Sequence, residues 1–172
     1  MNFLELAKER YSCRRFQERP VEEEKLQKII EAAIAAPTAV NAQPYRIWVI
    51  KSSEAIEKIN EVTPYGFGAS VIIAVGGKLD QAWVRKSDEK NFADVDAAIV
   101  GTHIMLEAQD LGLGSTWVGV MDIPKLQQLF PEMAEYDMVG LFPIGYPSEE
   151  KGGQPSKLHY RRRNVEDVVS IL

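Results

Sequence analysis

The residues best suited to chemistry stand close to the start of the chain. Arg10-Tyr11-Ser12-Cys13-Arg14-Arg15-Phe16 places three arginines and a serine hydroxyl within six residues. Guanidinium groups offer planar forked donors that match phosphate, and a serine hydroxyl adds a short donor. The chain as a whole carries a formal net charge of -5. A positive cluster in a negative protein favours one small anionic ligand over a nucleic-acid polyanion. Taken alone, the segment reads more readily as a solvated surface turn, because charge runs are usually solvated faces.

Other chemical groups are sparse. Cys13 lies between arginines, which lower a thiol pKa, yet a nucleophile also needs a base and an orienting group. His103 falls on an apolar helix and reads as a core residue, and His159 sits in a basic tail, exposed or beside a ligand. With Cys13, His103 and His159 as the only soft ligands, a structural zinc site is disfavoured. One cysteine excludes an internal disulfide and fits a reducing compartment. The N-terminus lacks a basic n-region, and runs such as Val71–Val75 are too short to span a membrane. The expected location is therefore cytoplasmic, with no membrane and no nucleic acid as partner. Gly66-Phe67-Gly68 and Gly112-Leu113-Gly114 lack the third glycine of a dinucleotide fingerprint, and no phosphate loop is present.

The elements that must position these groups read as one domain over residues 1–172. Asn2 and Glu5 form a capping box ahead of a short helix carrying Phe3, Leu6 and Ala7 on one face. Pro20 and Glu22-Glu23-Glu24 open a second helix, with Leu26, Ile29, Ile30, Ala33 and Ile34 as its apolar stripe. A proline-bracketed loop runs from Pro37 to Pro44, with Thr38 and Asn41 suited to satisfying its own backbone. Strands are expected at 47–50, 70–75, 116–120 and 139–146, and helices at 54–62, 94–111 and from Asp122 to Phe130. The 94–111 helix is apolar on most of its surface, so it lies inside its domain or at a subunit interface. Residues 76–90 read as a polar loop, a candidate lid. After Arg163, Val165, Val168, Val169 and Ile171 form a closing segment able to pair as a strand. Two helices precede the first strand, which favours α+β over a doubly wound sheet.

Four of these features occur together in a recognisable order. Arg10, Ser12 and Arg14 follow the first helix. Pro37, Thr38, Asn41, Gln43 and Pro44 form a polar loop. Gly112 to Gly119 closes the long helix, and Arg161 to Val169 is basic and then acidic and valine-rich. In this order the chain resembles the nitroreductase family of FMN-dependent flavoenzymes over essentially its whole length. The resemblance implies an α+β fold with a central, mostly antiparallel sheet flanked by helices, and a homodimer with FMN at the subunit interface. It implies that Arg10 and Ser12 hold the FMN phosphate and that Arg14 reaches the pyrimidine edge of the ring. Arg162 matches the C-terminal phosphate ligand, with Arg161 and Arg163 beside it. Pro37, Thr38 and Asn41 are expected to touch the flavin of the other subunit, and the backbone at Val118 and Gly119 to face its reactive nitrogen. Thr38 stands where the family has serine and keeps the hydroxyl. The Tyr65–Gly68 segment offers no counterpart to the asparagine that reads the pyrimidine edge in many members.

The implied activity is an oxidoreductase in which NAD(P)H reduces FMN and a small-molecule electron acceptor, a nitroaromatic or quinone, reoxidises it by two-electron ping-pong transfer. No catalytic side chain is expected, because the flavin carries the chemistry. Two alternatives share the cofactor: a flavin-binding carrier or sensor with little turnover, and a specialised flavin enzyme of the same fold, such as a dehalogenase or an oxidase.

Overall fold

The computed structural model describes residues 2–172. Short polar side chains set the helix starts. In α1 (Phe3–Glu9), Asn2 Oδ1 accepts the Glu5 amide at 3.0 Å while Glu5 Oε2 accepts the Asn2 amide at 3.2 Å, so two orphan donors are satisfied reciprocally. The apolar face expected of this helix is only partly covered: Leu6 and Ala7 are half-buried and Phe3 is exposed, as is the neighbouring Leu4. Next comes α2 (Glu23–Ile34), with acidic residues in its first turn and Leu26, Ile29 and Ala33 buried. Ile34, assigned by spacing to the same stripe, faces outward at the last turn. An edge strand β1 (Tyr45–Ile50) follows, then α3 (Ser53–Val62), whose cap Ser52 accepts from the Ala55 amide at 3.2 Å.

The all-buried strand β2 (Val71–Gly77) lies at the sheet centre. Within the expected polar loop, β3 (Val84–Arg85) and β4 (Lys90–Asn91) form a two-stranded hairpin, pinned by an edge-on Trp83–Phe92 contact. The long helix α4 (Ala93–Asp110) comes next, then β5 (Gly114–Ser115), α5 (Ile123–Leu129) and β6 (Asp137–Gly145). No helix is long and apolar enough to cross a membrane among the described residues.

The main sheet has the order β1-β2-β6-β5 with every ladder antiparallel. Two groups of buried side chains fill its faces. One joins α2, α4 and the outward residues of β2 and β6, including Ile29, Val75, Val100, Ile104 and Phe142. The other holds Cys13, Ile59, Ile72, Val118, Leu126 and Leu141 under α3 and α5. This is the α+β arrangement expected from the order of elements.

Three expectations are corrected. The strand placed at 116–120 is shorter and earlier: β5 ends at Ser115, and beyond it only Val118 bridges Leu141. The chain leaves the ladder because Trp117 turns its indole onto β6, donating from Nε1 to the Val139 carbonyl at 2.9 Å. The helix α4 is not buried all round. Ala93, Asp96, Ala97, Val100, Gly101, Ile104, Met105 and Ala108 form one buried stripe, while Val95, Ala98, Ile99 and Leu106 stay half-buried on the rest of its surface. The closing segment pairs with no strand in its own subunit; Val165–Asp167 is a 3-10 turn and residues 161–172 are exposed.

One surface cluster ties the start of α2 to the end of β6. The Tyr146 hydroxyl donates to Glu22 Oε2 at 2.7 Å, Arg19 bonds Glu22 Oε1 at 2.8 Å, and the Arg19 guanidinium stacks 3.8 Å from the Tyr146 ring centroid. These contacts, the tyrosine hydrogen bond first, hold the Glu22 carboxyl at about 2 instead of 4.5. A carboxyl depressed in the folded state stabilises the protein above its unfolded pKa and loses that contribution as pH falls through the folded one. Tyr146→Phe is therefore expected to flatten the loss of stability between about pH 5 and pH 2. Denaturant unfolding across that range at low salt checks it. Parallel curves for variant and wild type count against the linkage.

Candidate functional site

The arginine segment is a threaded strand, not a loose turn. The Cys13 amide donates to Ser115 O at 2.9 Å, Arg14 N to Gly152 O at 2.7 Å, and Gln17 N to Tyr146 O at 2.8 Å; Ser148 N returns a bond to Arg15 O at 3.0 Å. Ser12 and Ser115 form a parallel bridge. Extended backbone sends alternate side chains to opposite sides. Cys13 is fully buried on one side, while Arg10, Ser12 and Arg14 line a common cavity on the other. Close approach to β5 requires a glycine there: a side chain at Gly114 would meet Cys13 Cβ at 2.7 Å and Sγ at 2.8 Å.

That cavity, about 240 Å³, is closed by Tyr11 of the same segment and, from the tail, by Ser156, Leu158, His159 and Arg162. Of the three tail arginines, only Arg162 reaches it; Arg163 turns back to the Asp167 carbonyl at 2.7 Å. The Arg162 guanidinium is held by carbonyls of its own turn, Arg161 O at 2.8 Å and His159 O. Burial, and then the neighbouring charge of Arg162, pull the Arg10 pKa down. The half-buried Arg10 and the exposed Arg162 line one cavity and repel, and an anion bound between them removes that repulsion. Arg15, by contrast, points away and pairs with Glu150 at 2.5 Å.

Arg14 belongs to a second hollow as well. It borders a cleft of about 230 Å³ lined by Tyr65, Phe67 and the run Thr116–Val120. The anion-sized cavity and this largely apolar cleft are thus joined through one guanidinium. The floor of the cleft is set by Trp117 lying across β6, and a side chain at Gly140 would strike the indole nitrogen at 2.6 Å. Val118 is buried and bridged to Leu141, while the Gly119 backbone is open, with nothing within 4 Å of where a side chain would stand. Phe67 holds a left-handed backbone, φ 54°, and its ring packs against Tyr65 at 5.8 Å between centroids. A bulky residue in that conformation is strained, and such strain gathers at functional sites.

Pro37, Thr38 and Asn41 lie apart from both hollows of their own subunit. Their loop is tied internally, as its composition suggested: Thr38 Oγ1 accepts the Gln43 amide at 3.0 Å. None of residues 77–90, the candidate lid, lines either hollow. His103 is half-buried with Nδ1 2.9 Å from Ile99 O, consistent with a satisfied helix residue. Burial raises the Cys13 thiol pKa, so it is not an activated nucleophile.

Sequence reasoning assigned no site role to Tyr11, Tyr65 or Phe67, and it gave His159 as exposed or beside a ligand. Tyr65 and Phe67 carried no polar signal, and their cue was the Gly66–Gly68 pair around a turn. Tyr11 and His159 meet edge-on at 6.2 Å, and both line the anion-sized cavity. Only the folding of the tail back over the first helix brings them together.

With this geometry established, known proteins can be compared. The Nitroreductase family pattern matches residues 7–63 and 64–146. A Methanothermobacter thermautotrophicus protein, provisionally named NADH dehydrogenase/NAD(P)H nitroreductase, is 32% identical over 94% of this chain and 88% of its own length. A nitroreductase family protein from Clostridium difficile 630 superposes with a TM-score of 0.90 at 37% identity, covering 99% of this chain and 98% of that one. A provisionally named nitroreductase from Exiguobacterium sibiricum, solved in complex with FMN, shares the fold with a TM-score of 0.84 at 23% identity, over 100% of this chain and 98% of that one. The chain belongs to the nitroreductase family.

The facing guanidiniums make a prediction that needs no particular cofactor. Inorganic pyrophosphate is expected to stabilise the ligand-free protein; at tenfold its Kd the gain is about 1.4 kcal/mol, or roughly 3–6 °C in Tm. Arg10→Ala and Arg162→Ala should each abolish most of that shift in a thermal melt, and Arg15→Ala should leave it. An equal shift in all four proteins would show that the anion binds elsewhere.

Proposed function

We propose that the protein is an FMN-dependent oxidoreductase that takes electrons from NAD(P)H and passes them to a small acceptor, a nitroaromatic or a quinone. The observation that carries this reading is the junction at Arg14 between a cationic, phosphate-sized cavity and an apolar cleft lined in part by the open Gly119 backbone. A ligand with a phosphate at one end and a flat ring at the other fits that pair of hollows. Family membership and the names of the relatives agree with it.

When bound, FMN supplies the electron transfer, accepting from the nicotinamide and delivering to the acceptor. The chain's own residues have simpler tasks. Arg10, Ser12 and Arg162 hold the phosphate, where facing positive charges become an asset. Arg14 places positive charge between the two hollows, which favours the electron-rich state of the ring. Of the Val118–Gly119 backbone, Gly119 offers its amide to the ring while Val118, bonded through its own amide to Leu141 O at 2.8 Å, anchors it to β6, and Tyr65 and Phe67 cover the apolar side. No general base or nucleophile lies among these residues, which suits a reaction whose chemistry belongs to the cofactor.

The reading extends to a homodimer, with Pro37, Thr38 and Asn41 reaching the partner's flavin. It is supported by the second apolar stripe of α4, by exposed Phe3 and Leu4, and by the exposed apolar tail, in which Ile171 and Leu172 touch little of their own subunit.

The test is an absorbance spectrum of the purified protein before and after anaerobic addition of NADH or NADPH. Flavin bands that bleach on addition and return with a nitroaromatic or quinone are expected. Protein that stays colourless after reconstitution with FMN would sink the proposal. Bleaching without acceptor turnover would favour a carrier or sensor. Arg10→Ala is expected to weaken FMN retention about ten- to a hundredfold, as loss of charge-assisted hydrogen bonds implies, and Arg15→Ala to leave it unchanged.

A further inference from the structure

Asp96 is a buried carboxyl group that the proposed electron transfer does not use. It lies in the first turns of α4, only 1% exposed. Its Oδ1 accepts the Ala39 amide at 2.9 Å, and its Oδ2 is buried without a hydrogen-bond partner. An unsatisfied buried carboxyl oxygen is costly, so the Oδ2 atom is not explained by the fold alone.

The group at the other end of that hydrogen bond is unusual in its own way. Val40, Asn41 and Gln43 all hold left-handed backbone, at φ 50°, 56° and 50°. Val40 is β-branched and 74% exposed, so neither its type nor its packing favours that conformation. The short 3-10 turn Ala39–Asn41 contains no buried side chain. Its remaining ties are local, from Thr38 Oγ1 to the Gln43 amide and from Asn41 to the Gln43 side chain. Strained backbone persists only where its surroundings over-determine it. The Asp96 side chain is the tie that links this turn to the core through α4.

We propose that Asp96 is a positioning residue: by holding the Ala39 amide it presets the strained 38–43 turn, and through that turn the grip of Thr38 and Asn41 on FMN. The inference rests on the cofactor reading above. It assigns Asp96 no contact with the flavin.

Wild type, Asp96→Ala and Asp96→Asn are compared in three measurements. These are the FMN dissociation constant by fluorescence titration, the visible circular dichroism of bound FMN, and hydrogen exchange at the Ala39 amide in the FMN-free protein. Asp96→Ala is expected to speed Ala39 exchange and to raise the dissociation constant, each by roughly tenfold, with an altered dichroism band. Asp96→Asn keeps a carbonyl oxygen for the Ala39 amide and should stay within about threefold of wild type in both. Ala39→Pro removes the donor instead of the acceptor, so it should weaken FMN in the same way, and it serves if Asp96→Ala does not fold. Met133→Ala, in the core near α5, lowers Tm without touching the turn and should keep wild-type FMN affinity.

Wild-type FMN affinity and dichroism in both Asp96→Ala and Ala39→Pro would overturn the proposal while leaving the cofactor reading intact. Asp96→Asn as defective as Asp96→Ala would overturn the acceptor role. A wild type that binds no FMN would sink the cofactor reading and this inference with it, whereas fast Ala39 exchange in Asp96→Ala would still report the anchor.

Discussion

The lateral bonding of residues 12–17 is the constraint on which the site depends. This short stretch is held on one side by β5 and on the other by the 146–153 turn. Nothing about arginine or serine side chains fixes them in a row; the backbone ladder does, through its period of two. The ladder in turn needs Gly114 bare, because Cys13 fills the space where its side chain would stand. It also needs the tail, since the Tyr11 hydroxyl donates to Gly153 O at 2.7 Å. The cysteine between the arginines is thus explained by size. It is the small side chain that packs inward while its neighbours point out.

The same ladder concentrates like charge. Arg10 and Arg162 come from opposite ends of the chain, and the fold brings them around one hollow although they repel. A sequence selected for stability alone would not bring a second guanidinium beside the half-buried Arg10. Such conflicts between local energetics and the fold are where function is expected. The strained backbone at Phe67, beside the adjoining cleft, is a second conflict of the same kind. Both disagreements lie on the two hollows that share Arg14.

Much of this was legible in the residues, and the reasons are physical. The helix caps at Asn2 and Asp122 act within a few residues, so sequence carries them. The i, i+2, i+4 spacing of Arg10, Ser12 and Arg14 likewise encodes one face of an extended chain. Arg162 was expected from the order of motifs, and the choice among three adjacent arginines needed the turn that points Arg163 back at Asp167. The cleft aromatics were not legible because Tyr65 and Phe67 reach the site through a left-handed turn that no pattern announces. The end of β5 was misplaced because Trp117 has strong strand propensity, yet its indole bonding to Val139 takes the chain out of the ladder. Composition also overstated the burial of α4, since apolar residues all round a helix do not say which of them are covered within one subunit.

That uncovered remainder bears on how the parts fit together. A helix with one stripe packed on its own sheet and another half-exposed is poorly served by water. The exposed apolar residues at both chain ends have the same need. If a second subunit covers them, as proposed, Asp96 stands between the two roles of α4. It lies on the stripe that faces the core, yet its hydrogen bond leads to the 38–43 turn, which reaches no hollow of its own subunit. The seating of α4 on the sheet then sets the shape of the surface that the turn offers to a partner. Packing within one chain and cofactor grip in the other become a single problem, solved at one buried carboxyl group.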